Sequence, residues 1–443
     1  MRHRNYSQFW LFLLGLGSAT KVYLGGVIAL SEIVVFSIAP IVFVRHYREY
    51  KHDGFIPVIC LSFLMIIGSC ISCIYNGAGM LAWIKTVMMF YSIPAAIIVY
   101  YSLLKGSFKG IGWFFLGLAL SQIVAVFIFN PHIMTDGRSV EVMSAASVEE
   151  QMEGVMFWYT KINRFLLVPV QGWYLKIPIV FSAAAPVAAA FVALLTSVSG
   201  RSAAASALLS SAVIGIVGKS RKRMRAIGRH IFVGLVLIVF MAIGIKTVYS
   251  HAAKSGYLGE EALRKYNAQT HGNDSFMSIL MGGRVEFFIA IRAMLDHPFI
   301  GVGPYAVDEK GYTQSFLLKY GDAEDYEIYL RGRLARQSAV ELIPQHSTLT
   351  QFWGLAGLSG LVFCLYYLHL IYLYFRKYSW CIPQWFGYVV LAVPSSLFSL
   401  FFNPYTERMV MPLLIVCLLF VRAVGKGLIM LPVEMEREAQ KYG

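Results

Sequence analysis

The amino-acid sequence predicts an all-α polytopic membrane protein with about twelve transmembrane helices and one large, mostly helical loop before the last three. Of its 443 residues, 58% are hydrophobic and 14% are charged, and the mean hydropathy is +0.62. Soluble domains are closer to half apolar and a quarter charged. The apolar residues lie in long unbroken runs, which indicate helices rather than the alternating strands of a membrane barrel. Residues 249–350, by contrast, are polar and mixed in charge.

Basic residues between the apolar runs set the predicted topology. The runs cover residues 8–22, 24–44, 55–74, 80–103, 110–129, 179–198, 202–218, 231–248, 351–375, 384–402 and 408–424. Clusters of lysine and arginine follow several runs and favour the cytoplasmic side. With the N-terminus inside, these clusters require one further crossing, which we place at residues 155–178 as a short, broken span.

The same topology divides the chain into four parts. They are transmembrane helices one to nine, an outer loop, helices ten to twelve and a cytoplasmic tail, at residues 1–248, 249–350, 351–424 and 425–443. The formal net charge of +14 does not predict a nucleic-acid partner, because the cations flank apolar runs. Cations that flank apolar runs instead predict that the partner is the lipid bilayer.

A first candidate site lies at Gly283 and Arg284, at the start of a predicted amphipathic helix over residues 284–296. The apolar stripe of this helix consists of Phe287, Phe288, Ile291 and Leu295. A cation at a helix N-terminus opposes the helix dipole, and is useful there if an anion binds among the free N–H groups. Arg284 therefore binds a phosphate or, equally well on the residues alone, pairs with Glu286 or a loop carboxylate. Arg292 is a further candidate for substrate binding.

A second candidate is Arg201, at the outer end of a predicted span. Arginine at such a position often extends along the helix towards the interface. Cations are disfavoured on the outer side, however, so that a fixed one there also suggests an anionic partner.

A third candidate is His346, which follows Pro344 and begins the apolar run to residue 375. A histidine near a helix N-terminus tends to stay neutral, and a neutral imidazole at a membrane surface suits a general base. The alternative is a polar residue that caps the helix together with Ser347. Gly354, Gly357 and Gly360 then allow close packing of this helix against its neighbours. No cluster of residues predicts a metal site or a cofactor, since the acidic run at residues 322–327 is most simply a solvated helix face.

These motifs, taken in order, resemble the O-antigen ligase and O-antigen polymerase superfamily. The motifs are Ser199-Gly200-Arg201-Ser202-Ala203, Gly283-Arg284, His297-Pro298, Gly301-Val302-Gly303-Pro304 and His346-Ser347. The resemblance covers roughly residues 195–375 in spacing and the whole chain in topology. The chain departs from the family where Ser347 replaces the usual asparagine and where Gly200-Arg201-Ser202 replaces Ser-Arg-Gly.

The resemblance implies a metal-independent glycosyltransferase of the bacterial inner membrane, with its active site facing the periplasm. The donor would be a glycan on undecaprenyl diphosphate, and the acceptor would be lipid A–core or another lipid-linked glycan. Arg201 and Arg284 would hold the diphosphate, and His346 would activate the acceptor hydroxyl. The sequence leaves ligase and polymerase open.

Two other functions fit a helical membrane protein that carries arginines. A transporter or flippase of lipid-linked glycans should have inverted repeats and polar, broken helices at the midplane of the membrane. The polar residues here gather in one loop and at its edges, which favours an enzyme. The third alternative is a subunit of an assembly without catalytic activity of its own.

Overall fold

The computed structural model is mostly helical in the part of the chain that it describes. The described residues are 2–19, 21–23, 27–106, 110–128, 251, 255, 257, 285–320, 342–345, 347–402, 405 and 408–430. The helices are α1 Arg2–Ala19, α2 Leu30–His52, α3 Ile56–Tyr75, α4 Met80–Gly106, α5 Gly110–Ile128, α6 Val285–Asp296, α7 Tyr312–Tyr320, α8 Thr348–Ala356, α9 Leu358–Leu373, α10 Pro383–Phe402 and α11 Val410–Gly425. A π-helical turn, Tyr374–Tyr378, extends α9. Strands β1 Lys21–Tyr23 and β2 Val27–Ala29 pair antiparallel between α1 and α2.

Four of the described helices are long and apolar enough to cross a membrane, and a fifth, α11, is apolar but shorter. The four are Leu30–His52, Ile56–Tyr75, Met80–Lys105 and Leu358–Tyr378. The structure thus agrees with a helical membrane protein. The predicted total of twelve spans and the outer position of residues 249–350 stay predictions. The extra span predicted at residues 155–178 lies outside the described residues.

The sequence predicted one helix over the second apolar run, residues 24–44, but the structure differs. Residues 27–29 of this run form β2, which pairs with β1 just before the run, and α2 begins only at Leu30 and continues to His52. Glu32 explains the later start, because its Oε2 accepts a hydrogen bond of 2.8 Å from the backbone N–H of Ala29. This contact satisfies one of the donors that a helix N-terminus leaves free.

The apolar run after His346 is also divided, into α8 and α9. Gly357 separates the two helices with φ 62° and ψ −146°, a conformation that is strained for any residue with a Cβ. A methyl group on Gly357 would also overlap the carbonyl oxygen of Phe299. The glycines of this run do permit close packing, as predicted, but one of them also ends a helix.

Helix α4 occupies the centre of the bundle. In its most apolar stretch 72% of the residues are buried, against 22% in α2, so α2 is the more peripheral helix. Near its end, Tyr101 stacks on Phe420 of α11 with ring centroids 5.2 Å apart and meets Phe55 edge-on at 4.6 Å. Aromatic contacts of this kind add specific geometry to the apolar core.

A charged cluster joins the ends of α2 and α4. Asp53, whose side chain is 2% exposed, accepts hydrogen bonds from Tyr101 at 2.5 Å and from Lys105 at 3.1 Å. Lys105 also pairs with Glu49 at 2.7 Å. A buried carboxylate needs such partners, because an unpaired charge is costly away from water. Because Phe420 packs beside Tyr101, the ends of α2, α4 and α11 lie on one side of the bundle, as the cytoplasmic prediction for their basic residues requires.

Helices α1 and α5 cross at two glycines, and substitution of either should destabilise the protein. A methyl group on Gly15 would overlap the carbonyl oxygen of Phe114, and one on Gly117 would overlap that of Phe12. We expect Gly15→Ala and Gly117→Ala each to cost about 1–3 kcal/mol, the usual penalty for overpacking. Thermal unfolding in detergent measures the effect. Gly112→Ala on α5 is the matched control, since its methyl group would meet open space, and equal loss in all three variants would contradict the prediction.

Candidate functional site

Helix α6 begins at Val285, directly after Arg284, as the sequence predicted. Its buried face differs from the predicted one: Leu295 is 56% exposed, whereas Ile289, Ala293 and Met294 are buried. The small alanines let α6 pack closely against α8. The predicted face was wrong because it was chosen by the hydrophobicity of large side chains, which ignores this close packing. The large side chains of the predicted stripe are covered only in part, with Phe287 against Phe401 and Phe288 against Phe316.

The segment from Pro298 to Gly303, which we call the 298–303 segment, lies directly against α8 and the start of α9. Three hydrogen bonds make this contact, and a fourth comes from Gln345, just before α8. They are Trp353 Nε1 to the Pro298 carbonyl at 2.9 Å, the Leu358 N–H to the Phe299 carbonyl at 2.9 Å, the Gly303 N–H to the Gly354 carbonyl at 3.0 Å and Gln345 Nε2 to the Gly303 carbonyl at 3.1 Å. The segment therefore connects the helix that follows Arg284 to the helix that follows His346.

Two glycines permit this close approach. Gly301 and Gly303 both have φ of 80°, in the region that favours glycine. A methyl group on Gly301 would overlap the carbonyl oxygen of Gly354, and one on Gly303 would lie 3.0 Å from the side chain of Asn76. The Asn76 amide, at the end of α3, lies 3.5 Å from the Gly301 carbonyl. The predicted loop motif is thus seated against the bundle at the end of α3.

Both neighbours of His346 in the chain are fixed. The residues before it are held by the Ile343 N–H, which donates to the Ala306 carbonyl at 2.8 Å, and by the Gln345 bond described above. After it, buried Ser347 caps α8, since its Oγ accepts from the Thr350 N–H at 3.0 Å. Ser347 thus has the capping role that the alternative interpretation gave to it together with His346. His346 itself lies outside the described residues, so its role as a base stays a prediction.

Arg292 is the one predicted site residue that the structure describes. Its side chain is 69% exposed and lies 4.0 Å from Asp296, one turn further along α6. Asp296 also accepts a hydrogen bond from the Tyr312 hydroxyl at 2.9 Å and lies 3.7 Å from Lys310. Arg201, Gly283 and Arg284 lie outside the described residues, and nothing tests their convergence with Arg292.

The Tyr312–Asp296 hydrogen bond makes this part of the loop sensitive to pH. It is the main cause that lowers the pKa of Asp296, while burial, together with this bond, raises the pKa of Tyr312 to about 12. A lowered carboxyl pKa stabilises the fold at pH values above its unfolded pKa, and that contribution is lost as the pH falls through the folded pKa. A raised tyrosine pKa stabilises below the unfolded pKa and is lost as the pH rises through about 12.

Tyr312→Phe should therefore reduce the acid sensitivity of the loop. Without the hydroxyl, the pKa of Asp296 moves back towards its ordinary value, so that the variant is less protected at neutral pH and loses less protection on acidification. Hydrogen exchange of residues 296–312 as a function of pH measures the difference. Tyr305→Phe, at an exposed tyrosine of the same loop, is the control, and an identical acid profile in wild type and Tyr312→Phe would contradict the prediction.

Two charged residues that the sequence analysis did not single out lie at the end of the bundle where α8 begins. Glu32 in α2 is buried, and its Oε1 lies 3.6 Å from Nη1 of Arg408, just before α11. Tyr405 links this pair to α8, because its N–H donates to Oε1 of Gln351 at 2.8 Å. The sequence did contain an indication of Glu32, because an acidic residue inside a predicted span is often functional. Its partner could not be inferred, because Arg408 is distant in the sequence.

No group of three or more histidine, cysteine, aspartate or glutamate side chains is placed to hold a metal ion in the part of the chain that the structure describes. Comparison with known proteins gives no relative from which a role could be transferred. No protein-family model matches the chain, and neither a curated protein nor a solved structure matches it. The functional assignment therefore depends on the residues and their geometry.

Proposed function

We propose that this protein is a membrane glycosyltransferase that transfers a glycan from undecaprenyl diphosphate to a sugar hydroxyl of an acceptor, lipid A–core or another lipid-linked glycan. The protein would lie in a bacterial inner membrane, with the reaction on the periplasmic side. The observation that best supports this is the 298–303 segment, which joins the helix after Arg284 to the helix after His346. The loop that carries the proposed phosphate-binding arginine is thereby attached to the helix of the proposed base.

The proposed reaction is a single displacement at the anomeric carbon. The oxygen of the acceptor hydroxyl forms a bond to that carbon, and the bond from the carbon to the lipid diphosphate breaks with its electron pair. His346 accepts the hydroxyl proton as general base. Arg201 and Arg284 bind the diphosphate, with Gly283 allowing close backbone approach and Arg292 contributing a further cation.

The electrostatics favour this division of roles. Negative charge grows on the diphosphate as it leaves, and guanidinium groups fixed in place stabilise that growth more than they stabilise the bound donor. Arginine suits this position because its planar group binds phosphate oxygens through two parallel hydrogen bonds. Transfer by such a site proceeds without a cofactor, because the arginines supply the positive charge that a metal ion would otherwise provide.

His346 is suited to its proposed role by its place in the chain. Helix α8 begins at Thr348, with Ser347 as its cap, so that the positive end of the helix dipole lies beside residue 346. That field disfavours the imidazolium and favours the neutral ring, which can accept a proton. Ser347 supplies the side-chain cap of α8, so that this cap does not require the histidine.

Deletion of the gene, followed by gel analysis of the surface glycan, tests this function in cells. Loss of a polymerase leaves a single repeat unit on the acceptor, whereas loss of a ligase leaves long polymer on the carrier lipid. Either pattern supports the proposal and also separates the two activities. An unchanged glycan contradicts it, and so does lipid-linked glycan that is trapped on the cytoplasmic face, which a flippase would leave.

A further inference from the structure

We propose that Arg408 is an anion-binding residue that contributes a further guanidinium to the diphosphate site. This inference deepens the proposed function, because it assigns to that same site a residue from the segment between α10 and α11. The ligand chemistry is a phosphate-bearing group, either the headgroup of a lipid donor or a free pyrophosphate.

The side chain of Arg408 makes one ion pair with the described residues. Its side chain is 29% exposed, and Nη1 lies 3.6 Å from Oε1 of Glu32, whose side chain is 3% exposed. That distance gives an ion pair without a hydrogen bond, since Oε1 has no hydrogen-bond partner. Among the described residues, Glu32 is the carboxylate with which Arg408 pairs. A guanidinium carries five N–H donors, and no other contact with the described residues engages them, so that they stay available to a ligand.

The surroundings of Arg408 hold it in one place. Its backbone carbonyl accepts a hydrogen bond from the Tyr405 hydroxyl at 3.0 Å, and the Tyr405 ring packs edge-on against Phe352 of α8 at 5.0 Å. Oε2 of Glu32 is fixed in turn by the Ala29 N–H. The main chain at Arg408 and the carboxylate beside its guanidinium are therefore positioned before any ligand arrives, which reduces the entropy cost of binding.

The location matches the proposed site. The C-terminal half of helix α11 lies beside the Lys105 cluster, because its Phe420 stacks on Tyr101. Arg408, just before the start of α11 at Val410, therefore lies towards the opposite end of the bundle. Gln351, which accepts from the Tyr405 N–H, is only one turn beyond Ser347 in α8. Arg408 thus belongs to the same end of the bundle as the residues that flank His346.

The geometry of the Glu32–Arg408 pair also leaves the guanidinium open to a second partner. Oε1 of Glu32 is buried and makes no hydrogen bond to the described residues, although Nη1 of Arg408 lies 3.6 Å away. A cation that serves only to neutralise Glu32 would be expected to make a direct hydrogen bond to it.

Binding of farnesyl diphosphate to the purified full-length protein tests the inference, with inorganic pyrophosphate as a second probe. We expect Arg408→Gln to weaken binding by roughly tenfold to a hundredfold, the worth of one charge-assisted hydrogen bond or two. Arg408→Lys keeps the charge and should retain part of the affinity. Arg422→Gln removes a cation from the other end of α11 and should leave affinity unchanged.

Glu32→Gln distinguishes a ligand-binding role of Arg408 from a purely structural role in the ion pair with Glu32. This variant can still accept the Ala29 N–H and keeps Arg408, so we expect affinity within about threefold of the wild type. Equal loss of binding in Glu32→Gln and Arg408→Gln would show that Arg408 acts only through the ion pair and would overturn the inference. So would wild-type affinity in Arg408→Gln, or failure of both probes to bind the folded wild type.

The two probes also identify the source of the anion. Binding of farnesyl diphosphate alone indicates a lipid headgroup, and equal binding of both indicates a free anion; either result supports the inference. Failure of the proposed function is distinguishable, because glycan transfer is measured separately. If Arg408→Gln transfers glycan at the wild-type rate and also binds the probes with wild-type affinity, the inference is contradicted and the proposed function is not.

Discussion

Replacement of His346 by alanine is expected to abolish glycan transfer while the protein still folds and inserts into the membrane. Removal of a general base typically costs 10²-fold or more in rate, because no other group accepts the hydroxyl proton at the reacting atom. Transfer is measured with purified variants, and folding is measured by thermal unfolding in detergent. We expect Arg284→Ala and Arg201→Ala to show the same loss, since each removes charge from the leaving diphosphate.

Ser347→Ala is the control for the adjacent position. It removes the cap of α8 and should cost about 1 kcal/mol of stability, yet it leaves the imidazole in place. Arg284→Lys should restore only part of the activity, because lysine lacks the paired donors. Normal surface glycan in cells that carry each of the three alanine variants would refute the site.

Gly301→Ala is expected to reduce transfer strongly by displacing the 298–303 segment from α8. The added methyl group would overlap the Gly354 carbonyl oxygen, which belongs to helix backbone and cannot move aside easily. The variant also bears the penalty of a positive φ, about 1–2 kcal/mol, in addition to about 1–3 kcal/mol for overpacking. Transfer and thermal stability are measured together.

Gly311→Ala isolates the contribution of packing. Gly311 lies in the same loop and also has positive φ, 63°, but a methyl group there would make only ordinary contacts with Gln314. It should therefore carry the conformational penalty without moving the segment, and should keep most of the transfer activity. Equal activity in the two variants would mean that the attachment of the segment to α8 has no bearing on the reaction.

Helices within long apolar runs were predictable, whereas their interruptions were not. Helices α3, α4, α5, α10 and α11 lie close to the predicted runs, because a continuous apolar stretch in a membrane has few alternatives to a helix. The β1–β2 hairpin was missed because β2, Val27–Ala29, is as apolar as the span that follows it. The break at Gly357 was missed because a glycine within an apolar run equally well indicates close packing.

The candidate site was predictable in sequence order but not in its contacts. The start of α6 followed, to within one residue, from the amphipathic pattern of residues 284–296, and the cap at Ser347 was one of the alternatives for the start of α8. The attachment of Gly303 to Gly354, and the pairing of Glu32 with Arg408, join residues that are far apart in the chain. Local patterns carry no information about such pairs, so only the folded bundle identifies them.

Transfer by the purified protein alone tests the central claim most directly. The full-length protein is placed in liposomes with undecaprenyl-diphosphate-linked glycan and an acceptor glycolipid. The proposed function predicts a glycan–acceptor conjugate and an equal amount of released undecaprenyl diphosphate, with neither product formed by His346→Ala. Movement of the lipid-linked glycan across the bilayer without any conjugate would contradict it, as would a folded wild-type protein that forms no conjugate.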